Sequence, residues 1–202
     1  ASGTWLSQAR EREIMVPVDL EPLLAALSKN DPICEKAEVF VQSGRNPSGL
    51  RPSIETTVHA VLPWKIVIHV HCVETIARAC QADAEAVFSE KLQGVPYVFI
   101  PYLRPGLPLA HKIEELLQED TSVLILGNHG LVVAADTVDG ASQLLQEMQE
   151  RLTCDIREAA AADIHALTRL SLNSHYRLPD DARLHSIASD LKNCQIAANG
   201  NL

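Results

Sequence analysis

KIVIHVH, residues 65–71, decides how the rest of the chain is read. The β-branched residues Ile66, Val67, Ile68 and Val70 predict a strand. Strand side chains alternate between faces, so residues two apart share one. His69 and His71 therefore project together, spaced to bite one metal ion, while Val67, Ile68 and Val70 pack the sheet. Taken alone, such a pair reads equally well as two strand histidines facing solvent or hydrogen-bonded in a core.

Working outward, residues 73–93 read as helix, with good formers at Ala77, Ala79, Ala84 and Ala86 and a break at Gln81–Asp83. YVFI (97–100) predicts a strand closed by Pro101, and 109–117 an amphipathic helix. SVLILGNHGLVVAA (122–135) predicts two short strands around a tight turn at Gly127–Gly130. A long helix is expected from Thr137 to Leu170, and one more within 171–202 before a frayed end. Upstream, IMVPV (14–18) is a short apolar run, Asp19 starts a helix over EPLLAALSK, and VFVQ (39–42) predicts another strand. Residues 43–53 form a Gly/Pro/Ser loop, and 53–61 a helix with Ser53 near its N-cap. Short strands mix with helices, and several connections are too short for regular crossovers. This predicts a mixed sheet flanked by helices rather than a doubly wound fold.

The 202 residues predict one domain with a helical tail, divided as 1–155 and 156–202, and enough chain to bury a sizeable core. A net charge of -9 argues against general phosphate-backbone binding, so no nucleic-acid partner is expected. It does not exclude a small anionic substrate. The five cysteines are odd in number and form no CxxC, which disfavours a disulfide framework and favours a reducing cytoplasm. Cys72, next to His71, would face away from the histidine pair. No apolar run reaches the roughly 20 residues of a membrane span, so no membrane partner is expected. The chain opens on ASGTWL without a methionine, which leads us to expect upstream sequence.

A third histidine changes the weight of the pair. His129 lies in the Asn128-His129-Gly130 turn, at a strand end where sites gather, and the turn glycines are expected to bring its ring inward. Three imidazoles leave open positions on an ion such as zinc, the catalytic rather than the structural arrangement. Glu55 falls in a first helical turn, where a glutamate alone is an ordinary dipole-favoured residue. It gains a role if that turn abuts the histidines. His59, one turn later, is either a supporting residue or a packed one. His111, His165, His175 and His185 read as structural or surface residues. The loops Ser2-Gly3-Thr4 and Asn46-Pro47-Ser48-Gly49 offer hydroxyls and backbone N–H groups, a weak anion-binding signal. No GxxxxGKS/T, GxGxxG or GxSxG pattern occurs.

Four segments in order carry a resemblance: ASGTWLSQA (1–9), RPSIETTVHAVLP (51–63), IVIHVHCVETIARA (66–79) and ILGNHGLVVAADTVDGASQLLQEMQ (125–149). With the glutamate, HxH and NHG combination, the chain resembles the class II aldolase/adducin head-domain family over residues 1–155. L-fuculose-phosphate aldolase and L-ribulose-phosphate 4-epimerase are its familiar enzymes. The resemblance implies a three-layer α/β/α fold around a mostly antiparallel mixed sheet, a homotetramer and a small-molecule substrate. It implies that His69, His71 and His129 hold a divalent metal, zinc first, with Mn, Co, Ni or Fe as alternatives. Glu55 stands at the catalytic glutamate, and Ser2, Gly3 and Ser53 at positions that help hold a substrate phosphate. Three departures stand out. Ile54 replaces a phosphate-binding serine, residues 88–94 lack the proton-donor tyrosine, and the upstream asparagine loop would precede residue 1. Tyr102 matches a different tyrosine of the family.

The activity this implies is that of a metal-dependent lyase or aldolase on a small sugar or sugar-phosphate carbonyl compound, through a metal-stabilised enediolate. Glu55 moves a proton, which asks for a pKa raised by burial. Dehydration, epimerisation or decarboxylation could use the same residues. The rival from another class is a non-catalytic, adducin-like interaction module. A cupin-like site from His69, His71 and Glu74 fits poorly, because Glu74 opens a helix where a cupin needs further strands.

Overall fold

The computed structural model describes residues 2–155 and 161–181. The chain divides into two compact units, 1–153 and 154–202.

The first unit is built on four strands: β1 (Ile66–Val70), β2 (Tyr97–Ile100), β3 (Val123–Leu126) and β4 (Gly130–Ala135). Their order across the sheet is β1-β4-β3-β2. β4 pairs antiparallel with both β1 and β3, whereas β2 and β3 are parallel. A parallel pair needs a crossover, and helix α5 (Leu107–Leu116) supplies it between β2 and β3.

β3 and β4 are apolar on both faces, the pattern of strands covered on both sides. On one face Val123, Ile125, Leu131 and Val133 pack against Ala79, Ala84, Phe88, Leu92, Met148 and Leu152. These come from α3 (Val73–Ala79), α4 (Ala84–Lys91) with the residue after it, and α6 (Val138–Leu152). On the other face Leu124, Leu126 and Val132 meet Val58, Leu62, Leu109 and Ile113. Those belong to α5, to α2 (Thr56–Ala60) and to the segment just after it. The result is the three-layer α/β/α arrangement around a mixed sheet. Helix α1 (Leu20–Ser28) packs Leu23, Ala26 and Leu27 beside Ala110 of α5.

Phe88 is fully buried, its ring 5.8 Å from that of Phe99. Phe88→Ala would leave a cavity between α4 and the sheet. It is expected to lower stability by about 3–5 kcal/mol, read from the midpoint of chemical denaturation at unchanged slope.

The break expected at Gln81–Asp83 is the gap between α3 and α4, and all four strands from 65 onward lie within a residue or two of their expected positions. Three expectations need correction. VFVQ is not a strand. Ala37–Phe40 forms a 3-10 turn in which the N–H groups of Val39 and Val41 bond to Lys36 and Glu38, leaving one antiparallel bridge, Val18 to Val41. The helix expected over 53–61 begins only at Thr56, because Ser53 forms a turn first: its carbonyl accepts from Thr56 N–H and its Oγ from Glu55 N–H. The helix expected from Thr137 to Leu170 stops at Leu152. Thr153 turns extended, and the Arg78 guanidinium donates to the Leu152 and Thr153 carbonyls, satisfying the helix end. In the second unit, Asp163 accepts from Ala166 N–H and starts a separate helix, α7 (Ile164–Ser171). Most of the further helix expected within 171–202, with His185, falls outside the described residues. Among the described residues no helix is long and apolar enough to cross a membrane.

Candidate metal centre

The site sits where β1 ends and the β3–β4 turn passes it. His69 opposes Val132 in the β1–β4 ladder, and Val70 opposes Leu131. Ile68 and Val70 pack on the α3/α4/α6 face, whereas Val67 packs with α2 and α5. His69 shares the Val67 face, and His71, just past the strand, follows it.

The β3–β4 turn delivers the third ring. Gly127 N–H donates to Ile100 O at 2.8 Å and His129 N–H to Leu126 O at 3.1 Å. The residue with left-handed backbone is Asn128, at φ 50°, not a glycine. This corrects the expected role of the glycines, which is close approach. A Cβ on Gly130 would lie 2.5 Å from Val70 O, 3.2 Å from His69 Cε1 and 3.4 Å from His71 Cα. A methyl group there cannot be admitted without moving the β1 backbone at Val70, and it crowds the His69 ring. Gly130→Ala is expected to destabilise the fold by about 1–3 kcal/mol, as overpacking does, and to weaken divalent-metal binding in parallel. Thermal denaturation and metal titration check the two effects.

Glu55, the residue before α2, completes the group. Its Oε1 lies 2.8 Å from His129 Nε2, 3.0 Å from His69 Nε2 and 3.6 Å from His71 Nε2. The ring centroids are 4.9–5.1 Å apart. His69 Nδ1 lies 3.1 Å from Leu131 O, which can only accept, so Nδ1 carries the proton and the Nε2 lone pair faces the cluster. The side chains of His69, His129 and Glu55 are 6%, 11% and 19% exposed, but that of His71 is 62% exposed. The site therefore opens to solvent on the His71 side.

The Glu55 carboxyl is held well below the ordinary carboxylate range. The hydrogen bond with His129 dominates, then the contact with His69, and both outweigh the upward push of burial. This overturns the expected upward shift. Burial lowers the His59 pKa, with His69 adding to the effect and Glu55 opposing it. His59 lines a cavity of about 400 Å³ with Met15, Leu23, Ser53 and Thr56, and is not a member of the histidine cluster. Ser2 N–H donates to Arg51 O at 2.8 Å, which brings the Ser2-Gly3 loop to the segment leading into Ser53. Ile54 stands between Ser53 and Glu55 with its side chain exposed.

The donor set fits a divalent ion. Four ligand atoms, one from each of Glu55, His69, His71 and His129, lie within 4.8 Å of one another. His69 Nε2 is buried without a well-formed hydrogen-bond partner, a cost that an ion would relieve. Three imidazole nitrogens and a carboxylate oxygen suit zinc and its first-row neighbours better than magnesium or calcium. Two features of the site had no sequence signal of their own. The Leu131 carbonyl emerges only from the β1–β4 register, and the need for glycine at 130 only from the approach of β1.

Comparison with known proteins places the chain. Residues 2–156 match the profile of the Class II Aldolase and Adducin N-terminal domain. The chain belongs to this family. A Bacillus subtilis (strain 168) protein described as the uncharacterized oxidoreductase YuxG is 33% identical over 114 residues, 54% of this chain and 16% of that protein. The 3-oxo-tetronate 4-phosphate decarboxylase of Escherichia coli (strain K12) is 28% identical over 144 residues, 64% of this chain and 66% of the enzyme. The chain thus spans less than two thirds of the length of either relative. Among solved structures, the N-terminal class II aldolase domain of a conserved Thermoplasma acidophilum protein is similar, with 28% identity and a TM-score of 0.57. That match covers 67% of this chain and 63% of that one. Class II aldolases use a divalent metal, and the glutamate–histidine cluster of this chain could hold one.

Proposed function

We propose that this class II aldolase domain is a divalent-metal-dependent lyase acting on a small sugar or sugar-phosphate carbonyl compound. The observation that carries the reading is the convergence of three imidazole Nε2 atoms on one Glu55 oxygen. His69, His71 and His129 would hold the ion. When bound, the ion supplies Lewis-acid polarisation of a substrate carbonyl. The chain's own residues do the rest. The Leu131 carbonyl keeps His69 in one tautomer, and Glu55 is the carboxylate placed to take and return a proton. Its lowered pKa comes chiefly from hydrogen bonds with His129 and His69, whose nitrogens an ion would take instead. The open His71 side admits substrate. Ser2, Gly3 and Ser53 form the candidate anchor for its far end, supported by the tie between Ser2 and Arg51. Zinc is the metal the donor set favours. A homotetramer follows from the resemblance, and an odd number of cysteines with no CxxC pair accords with a cytoplasmic setting.

Decarboxylation of a 3-oxo acid is the second reading, favoured by the similarity to the Escherichia coli decarboxylase. Both reactions leave electron density beside a polarised carbonyl and end in protonation, so both can use this site. A screen of free and phosphorylated ketoses and 3-oxo acids with zinc-reconstituted protein tests the proposal. Metal-dependent release of an aldehyde supports the first reading, and release of carbon dioxide the second. Protein that binds no divalent metal would remove both and favour a non-catalytic interaction module.

A further inference from the structure

Helix α3 links two parts of the histidine cluster. Its N-cap is Cys72, directly after His71, and its C-cap is Cys80. The Cys80 thiol donates to Asn128 Oδ1 at 3.1 Å. Asn128 immediately precedes His129 and holds a left-handed backbone at φ 50°. A residue in that region persists when its surroundings hold it there. The turn's backbone is tied on one side by the Gly127–Ile100 and His129–Leu126 hydrogen bonds. Cys80 ties the Asn128 side chain on the other.

We infer that Cys80 is a positioning residue for this centre: its thiol latches Asn128 to the end of α3 and so fixes where His129 enters the cluster. The inference rests on the reading of the cluster as a metal centre. α3 then works as a strut. Its start follows His71, its end grips the residue before His129, and its buried Thr75 and Ala79 seat it in the fold. Cys80 is exposed as a residue, but the partial burial of its thiol raises its pKa, so the proton stays available for donation at neutral pH. A raised pKa also makes Cys80 a poor nucleophile, so a hydrogen-bonding role suits it better than a reactive one.

The test is zinc affinity, measured by competition with a chromogenic chelator. Four variants are compared with the wild type: Cys80→Ala, Cys80→Ser, Asn128→Gly and the Cys80→Ala/Asn128→Gly pair. Glycine keeps the left-handed backbone accessible while removing the acceptor. Cys80→Ala is expected to bind zinc roughly three- to tenfold more weakly, the range a neutral hydrogen bond controls. Serine, which retains a donor, should restore binding. Asn128→Gly should match Cys80→Ala, and the pair should be no weaker than either single variant, the mark of one shared interaction. Serine should also recover whatever stability the metal-free Cys80→Ala protein loses, whereas a packing role would gain nothing from serine. Wild-type affinity in Cys80→Ala, failure of serine to restore binding, or additive losses in the pair would overturn the inference. Wild-type protein that binds no zinc would overturn the metal reading beneath it, a result distinct from the other three.

Discussion

Replacing His69 with alanine is expected to strip the protein of its divalent ion. Of the three rings, His69 has the most buried side chain, and its orientation is set by Leu131 O rather than by the ion. A ligand held in place beforehand contributes more than one that must be ordered on binding. Loss of an outer partner commonly weakens metal binding by about 10–100-fold, so loss of this inner nitrogen should exceed about 100-fold. Two imidazoles and a carboxylate would remain, one of those imidazoles largely exposed. Elemental analysis after dialysis, with chelator competition, gives the measurement. Full metal occupancy in His69→Ala would refute the ligand assignment. The fold should survive, because His69 lies on edge strand β1 while the two main apolar clusters centre on β3 and β4. Circular dichroism separates loss of the site from loss of the fold.

Much of this site was legible because its parts obey short-range rules. Alternation along 65–71 puts His69 and His71 on one face, and the register of β1 on β4 agrees. The gap between α3 and α4 falls at the break expected at Gln81–Asp83, and the β3–β4 turn was visible in its two glycines. Long-range determinants were not legible. α6 ends where Arg78, more than 70 residues away in sequence, satisfies its last carbonyls, and nothing near Thr153 announces this. VFVQ has strand composition, but the turns around it consume the donors a ladder would use. Burial alone predicted a raised pKa for Glu55. The opposite sign comes from hydrogen bonding with His129, supplied by a turn 74 residues further on. Sequence periodicity finds which face a side chain takes, and only the assembled sheet shows what it meets there.

Glu55→Gln should separate chemistry from metal binding. The amide keeps the size of the side chain and one oxygen toward the rings but has no basic carboxylate. Three imidazoles remain, so metal content should stay near that of the wild type. If Glu55 carries the proton, turnover of whichever substrate the screen identifies should fall by about 10²–10⁴-fold, the usual contribution of a positioned acid or base. The loss should appear in kcat, with KM little changed, because the carboxylate would act on the moving proton rather than on bound substrate. The arrangement also gives Glu55 a competing role. Its Oε1 lies within 3.6 Å of all three Nε2 atoms, so it could serve as a fourth ligand instead of a base. The two roles diverge in this variant. A lost base leaves metal affinity intact and kcat collapsed. A lost ligand weakens metal affinity, and turnover returns when metal is added in excess. Activity within tenfold of the wild type at full metal occupancy would remove Glu55 from the chemistry, and the proton would then have to be carried by another group on the open His71 side of the site.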